Sequence, residues 1–114
     1  MDYLFVIWEG ESVATSEDRR KEAMDLMGAY VFDLLGKGKL KGGAPLHPAA
    51  EAKTAKTKGG KAIVVDGPYV ETKDVIGGYF VVEADSMEEA AELARVCPAA
   101  AYGGVEVRAI IPMG

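Results

Sequence analysis

With 114 residues, of which 49% are hydrophobic, the chain has the size and apolar content of one compact domain with a real core. Its 18 acidic and 13 basic residues give a net charge of -5, which opposes binding to nucleic acid or to an anionic membrane. We therefore expect a single domain over residues 1–114 and neither kind of partner.

The chain has too few cysteines and histidines for a disulfide-rich or a metal-binding protein. The chain has one cysteine and one histidine, so it can build neither a disulfide framework nor a recognisable metal site. We expect no metal and no cofactor. The first residues lack the pattern of a secretion signal and no apolar run approaches membrane-spanning length, so the expected location is a reducing cytoplasm.

The first part of the chain predicts a strand followed by a helix. Residues 3–8 are all apolar, and all but Leu4 are β-branched or aromatic, which is typical of a central strand buried on both faces. Thr15 or Ser16 can cap the helix that follows, and Gly36 and Gly38 mark its end. Its apolar stripe consists of Met24, Met27, Val31, Leu34 and Leu35 at helical spacing.

The middle of the chain predicts short strands. Residues 40–46 show a weak strand pattern that glycines interrupt and prolines end. Residues 53–58 alternate, meet Gly59 and Gly60, and are followed by apolar residues 62–65, which is the pattern of a β-hairpin closed by a two-residue turn. We expect its lysine-rich strand to be an exposed edge.

The last third predicts a strand, a helix and a strand. Residues 78–84 form the first of these, and Ser86 with Glu89 forms a capping box that begins the helix. Pro98 is expected to end that helix. Residues 105–111 alternate and then become apolar, so the last strand should have one face partly in water.

This order predicts an α+β fold, a ferredoxin-like split βαβ sandwich with an inserted edge β-hairpin. Two helices can cover only one face of its sheet. Residues 3–8, 63–65 and 79–82 are nevertheless apolar on both sides of the pleat, so the second face needs a cover that the chain itself does not supply. A second copy of the sheet is the simplest cover. We therefore predict a homodimer through the open sheet face, paired as a dimeric α+β barrel.

Charged and turn-forming residues concentrate between positions 66 and 74, after the predicted hairpin. Asp66 follows four apolar residues, so its carboxylate is expected at the mouth of the sheet, where desolvation would suit it to general base catalysis. The alternative is that Asp66 accepts a hydrogen bond from the backbone N–H of Tyr69 and only holds the turn. Gly67 and Pro68 are expected to be structural.

Six further side chains are candidates for a ligand site. His47 is the one side chain whose ordinary pKa lies near neutrality, so it is a candidate catalytic partner of Asp66, with an unreactive surface histidine as the alternative. The remaining five have plainer alternatives as core aromatics, solvated charges or ion-pair partners. These five ligand-binding candidates are Tyr69, Glu71, Lys73, Tyr79 and Arg108.

Several of these segments together resemble one family. They are Val65-Asp66-Gly67-Pro68-Tyr69 with Glu71-Thr72-Lys73, then Gly77-Gly78-Tyr79, Asp85-Ser86-Met87-Glu88-Glu89-Ala90, Cys97-Pro98-Ala99 and residues 104–108. In these segments the chain resembles the YCII-related family, and specifically its DGPF branch. The resemblance covers nearly the whole chain. The resemblance implies a ferredoxin-like fold and dimerisation. The chain departs from the branch at Tyr69, where phenylalanine is usual, and at Ala109, where a proline often follows the arginine.

The resemblance implies little about chemistry. Some YCII-related proteins are similar to small enzymes, among them a dehydrochlorinase of aromatic degradation, and use a histidine of the first helix with an aspartate as a catalytic dyad. Here that position falls on Met27 or Gly28, so the dyad cannot be carried over. The DGPF branch is also similar to proteins encoded beside, or fused to, alternative sigma factors.

Two functions therefore stay open. The first is a protein that binds a small polar or aromatic metabolite beside the Asp66-Gly67-Pro68 loop and catalyses proton transfer or elimination, which requires Asp66 and at least one other candidate to converge on one pocket. The second is a non-catalytic regulatory or interaction dimer, linked to an alternative sigma factor system.

Overall fold

Four antiparallel strands form the main sheet of the computed structural model, which describes residues 1–113. The six strands of the chain are β1 (Asp2–Glu9), β2 (Leu40–Pro45), β3 (Lys53–Lys58), β4 (Lys61–Asp66), β5 (Val75–Glu83) and β6 (Gly103–Ala109). The main sheet has the order β2-β5-β1-β6. The predicted α+β fold is confirmed, and the first strand lies in the centre of the sheet as expected.

The helices are α1 (Glu11–Ala14), α2 (Glu17–Gly36), α3 (Met87–Arg95) and α4 (Ala99–Tyr102), with a short 3-10 helix at Ala49–Glu51. Both predicted caps are confirmed. Ser16 Oγ accepts from the N–H of Arg19 at 3.3 Å, and Ser86 Oγ accepts from the N–H of Glu89 at 3.1 Å. None of the helices in the described chain combines the length and the hydropathy that crossing a bilayer requires.

The core lies between the helices and one face of the sheet. Tyr3, Phe5 and Ile7 alternate along β1 and are 4%, 0% and 6% exposed. The ring of Tyr30 from α2 packs 6.2 Å from that of Phe80, centroid to centroid. Its hydroxyl donates to the backbone carbonyl of Leu93 at 2.6 Å, which ties α2 to α3 across the core.

The apolar stripe predicted for α2 is buried only in part. Tyr30 and Leu34 belong to the core, and Met27 and Val31 pack against it. Met24 and Leu35, by contrast, are 58% and 57% exposed. Met24 lines a cavity between α2 and the sheet, and Leu35 lies about 100° around the helix from the buried Leu34 and so points away from the core.

Among the described residues, helices α1–α4 all pack on the core side and leave the other face of the main sheet uncovered. Leu4 and Val6 of β1 lie opposite Val81 and Tyr79 of β5, so their side chains share that face. Leu4, Val6 and Val81 are half-buried, and Tyr79 is 40% exposed. We call this surface the open face.

Strands β3 and β4 form the predicted hairpin. Gly59 and Gly60 have φ of +58° and +79°, the left-handed pair that a type I′ turn requires. The hairpin forms a two-stranded sheet of its own rather than continuing the main sheet. Ile63 and Val65 therefore do not add to the open face, although the sequence pattern counted them there.

Candidate functional site

A β-bulge lies where β1 and β5 end together. Ile7 pairs with Gly78 and Trp8 pairs with Ile76, so Gly77 is an extra residue in β5. Bulges of this kind redirect side chains and often border functional sites. Here the side chain of Glu9 occupies the space beside Gly77, and a Cβ added to Gly77 would overlap the Glu9 carboxylate.

Glu9 forms an ion pair with Arg20 of α2. The distance from Arg20 Nη1 to Glu9 Oε2 is 3.0 Å, and the two side chains are 26% and 18% exposed respectively. Among the ion pairs of the described residues, this one is the least exposed. It joins the end of β1 to the start of α2.

The ion pair belongs to the wall of a cavity of about 260 Å³ between α2 and the sheet, which we call the inner cavity. Most of the wall is apolar. On the α2 side, Gly28 contributes no side chain to the wall, and a Cβ added there would meet no atom within 4 Å. The apolar side chains that line it include Ile7, Val13, Met24, Met27, Val31 and Phe80.

A second cavity, of about 940 Å³, lies at the same end of the sheet and includes the end of the open face; we call it the outer cavity. Trp8 and Ile76 form its floor, and Tyr69 comes from the loop after β4. The indole N–H of Trp8 donates to Glu106 Oε1 at 3.2 Å. Trp8 and Leu46 line both cavities.

The structure brings two of the predicted site residues together. His47 and Tyr69 both line the outer cavity, beside Pro68. Tyr79 borders the inner cavity, but its side chain lies on the open face, opposite Val6. Arg108 is exposed, with Nη1 4.0 Å from Glu106 Oε2 at the margin of the outer cavity.

Asp66 does not join that group, because β4 belongs to the separate hairpin. Its side chain is 87% exposed and its carboxylate accepts from Lys53 Nζ at 2.6 Å, so the desolvation expected at a sheet mouth is absent. The turn after Asp66 is held by the N–H of Gly67, which donates to the carbonyl of Ala52 at 2.7 Å. Asp66 therefore does not converge with the other predicted residues on one cavity.

Glu71 and Lys73 also lie outside both cavities. They border a shallow surface depression together with Glu11 and Thr15. Within residues 1–113, no group of three or more His, Cys, Asp or Glu side chains is arranged to hold a metal ion.

The YCII-related domain model matches residues 1–114 of the chain. The chain belongs to the YCII-related family. It is 33% identical over 97 residues to an uncharacterized protein of Rhizobium meliloti (strain 1021), a match that covers 83% of this chain and 78% of that protein.

This YCII-related chain is also similar in fold to a protein of known structure. The protein is 5-chloro-2-hydroxyhydroquinone dehydrochlorinase from Burkholderia phenoliruptrix AC1100, in complex with 2,5-dihydroxybenzoquinone. The TM-score is 0.57 at 19% identity, and the match covers 97% of this chain and 94% of that one. At this identity the likeness shows a shared α+β barrel fold and not a shared activity.

The sequence did carry signals for the two charged residues of the inner cavity of this YCII-related protein. Glu9 directly follows the apolar run of β1, and a carboxylate at the end of a buried strand is the same signal that singled out Asp66. Arg20 lies near the start of α2, where a positive charge is unfavourable to the helix dipole and so calls for another role. Gly28, inside a helix, is a third signal of the same kind.

Proposed function

We propose that the inner cavity binds a small, uncharged aromatic metabolite that carries a hydroxyl group. The observation that supports this is the Glu9–Arg20 pair in an otherwise apolar wall. A carboxylate only accepts hydrogen bonds and a guanidinium only donates them, whereas a hydroxyl does both. A hydroxyl placed at this pair therefore matches both of its members.

The volume of the cavity favours a single ring. An apolar cavity of about 150 Å³ is enough to hold benzene, and the inner cavity measures about 260 Å³. A ring with a few substituents fits that space. The flexible thioethers of Met24 and Met27 on the α2 side can adapt to its outline.

The charge of the wall favours an uncharged ligand. Glu9 and Arg20 neutralise each other at 3.0 Å, so the pair offers hydrogen bonds without a net charge. A ligand carboxylate would meet Glu9 as a like charge in a half-buried place, which is costly. Phenols should therefore bind in preference to benzoates.

The same arrangement suits proton transfer, with or without loss of a leaving group. Glu9 is placed to accept the proton of a bound hydroxyl, and Arg20 beside it can stabilise the oxygen anion that remains. Two observations support this site. Met27 and Gly28 both line the inner cavity, and the family resemblance implies that one of them stands where a dyad histidine is expected. The dehydrochlorinase is in complex with a dihydroxylated six-membered ring. The proposal gives Glu9 the role first expected of Asp66.

Fluorescence combined with variants of Gly28 tests this proposal, because Trp8 is the single tryptophan of the chain and lines both cavities, whereas Gly28 lines only the inner one. We expect phenol to change the Trp8 emission saturably and benzoate to bind more weakly. Gly28→Leu should fill the inner cavity and abolish phenol binding. Gly28→Ala is the control, because it raises the helix propensity of this position by a similar amount but leaves most of the cavity volume free. Equal phenol affinity in the two variants would refute the inner cavity as the site.

The outer cavity is a second candidate ligand site of this protein. It lies beside Pro68 and Tyr69, where the sequence pattern placed a pocket, and it brings His47 and Tyr69 together. Its size, about 940 Å³, is within the upper range of small-molecule sites.

We also propose that the protein works as a homodimer of the DGPF branch in the cytoplasm, paired through the open face. The support is the row of half-buried apolar residues Leu4, Val6 and Val81 on a face that no helix covers. An isologous contact buries this row on both copies at once.

A regulatory dimer, such as one tied to an alternative sigma factor system, is the alternative function. It is favoured by the separation of the acid–base groups, since His47 lines the outer cavity and Glu9 the inner one. In that case the inner cavity senses its ligand without converting it. Product analysis after long incubation with chlorinated and unchlorinated hydroquinones separates the two, because only the enzyme releases chloride or a rearranged product.

A further inference from the structure

We infer that the outer cavity binds an organic cation, an ammonium group attached to an aromatic or apolar body. This ligand differs in charge and in place from the one proposed for the inner cavity, and the inference does not depend on that proposal. It rests on the charges, the rings and the apolar floor that meet in the outer cavity.

The charged side chains of the outer cavity are acidic. Asp74 and Glu106 both line it, and the described residues of its wall include no lysine or arginine and one histidine, His47. Glu106 is held toward the cavity floor by the indole N–H of Trp8 at 3.2 Å. The nearest guanidinium, that of Arg108, reaches only 4.0 Å from Glu106 Oε2 and is 72% exposed, so it neutralises this carboxylate weakly.

Two aromatic rings share the cavity with these carboxylates. Trp8 lies on the floor and Tyr69 comes from the loop, where it is 78% exposed and thus accessible to a ligand. The faces of tryptophan and tyrosine rings attract ammonium groups within about 6 Å. Carboxylates combined with aromatic faces are a wall suited to a cation and unsuited to an anion.

The apolar part of such a ligand also has a place. Ile76 and Val75 of β5 and Pro68 of the loop line the same cavity. A ring or short alkyl chain can cover these side chains while the ammonium group reaches the carboxylates. The two cavities thus differ in charge, because the inner one presents a neutral ion pair and the outer one two acidic groups.

A matched pair of probes tests whether the outer cavity prefers a positively charged ligand. 2-Phenylethylamine is a cation at neutral pH, and 2-phenylethanol has nearly the same shape without the charge. We expect Trp8 fluorescence and calorimetry to show tighter binding of the amine, weakening as salt is added. Alcohol that binds as tightly as amine would overturn the inference.

Isosteric variants test whether the amine binds beside Asp74 and Glu106 in the outer cavity. Asp74→Asn and Glu106→Gln should each weaken amine binding by about threefold, as expected for a partly exposed charge contact. Asp66→Asn is the control, since it changes the net charge equally but lies outside the cavity, on the exposed Lys53 ion pair. The inference fails if Asp66→Asn weakens binding as much as the other two.

Gly28→Leu separates this site from the inner cavity. Gly28 lines only the inner cavity of the two, so the variant should bind the amine as the original chain does. Loss of amine binding in Gly28→Leu, with the fold intact by circular dichroism, would place the amine in the inner cavity and overturn the inference.

Discussion

Glu9 and Gly77 share one space, because the Glu9 carboxylate lies where any side chain of residue 77 would have to stand. The bulge at Gly77 is what brings them together. The absence of a side chain at position 77 therefore determines where Glu9 points, and with it the polar wall of the inner cavity.

Gly77→Ala should displace Glu9 from Arg20 and destabilise the fold by about 1–3 kcal/mol, the usual cost of forcing an extra carbon into a packed site. Urea unfolding measures this. Gly42→Ala is the control, because Gly42 also lies in a strand of the main sheet but a Cβ there meets no atom within 4 Å. Similar losses in both variants would contradict the role given to Gly77.

Arg20→Met should cost more than the loss of a surface ion pair. It leaves the Glu9 charge half-buried without a partner, a loss of about 1–3 kcal/mol. Lys37→Met removes an ion pair of the same helix, with Asp33, in which both side chains are more than half exposed; we expect less than about 0.5 kcal/mol there.

The double variant Glu9→Gln with Arg20→Met should recover part of that loss, since no unpaired charge remains. Chemical denaturation of the four proteins of this cycle gives the coupling energy between the two residues. Strictly additive losses would mean that the ion pair has no energetic role.

Dimerisation predicts the effect of a charge on the open face. Val6→Lys places an ammonium group opposite Tyr79 in the middle of that face, so it should shift the protein to a monomer. Light scattering after size-exclusion chromatography gives the mass. Val64→Lys is the matched control on the hairpin, where Val64 is already 66% exposed. If Val6→Lys leaves the mass of the original chain unchanged, the open face is not the interface.

The buried thiol of Cys97 should make the folded state less stable at alkaline pH. Burial raises the pKa of its thiol from 9.0 to about 11. The folded state therefore retains a proton that the unfolded state has lost, so this contribution is full below pH 9 and declines as pH rises from 9 through about 11. Cys97→Ala removes the titration without adding volume to the buried site, and thermal unfolding between these pH values should show a flatter decline for the variant.

Local patterns were sufficient for most of the fold. The caps at Ser16 and Ser86, the Gly59-Gly60 turn and the alternation of Tyr3, Phe5 and Ile7 are each determined by neighbours in the sequence. The order of the elements then leaves few arrangements. The placement of the hairpin could not be predicted in this way, because no short-range signal indicates whether β4 continues the main sheet.

The candidate site depended on relationships that the sequence does not display. Glu9 is aimed by a bulge whose extra residue, Gly77, is far along the chain, and its partner Arg20 comes from a helix. Asp66 carried the same local signal as Glu9, but its strand lies in the separate hairpin. His47 and Tyr69 meet only because two loops reach the same end of the sheet.

The hydrogen bond between Gly67 and Ala52 has a consequence for the length of the chain. It joins the two ends of the β3–β4 hairpin at 2.7 Å, so those 14 intervening residues leave and re-enter the domain at one point. A module inserted in this way can be shortened, lengthened or exchanged for a tight turn at a small entropic cost, while the strands that carry both cavities keep their positions.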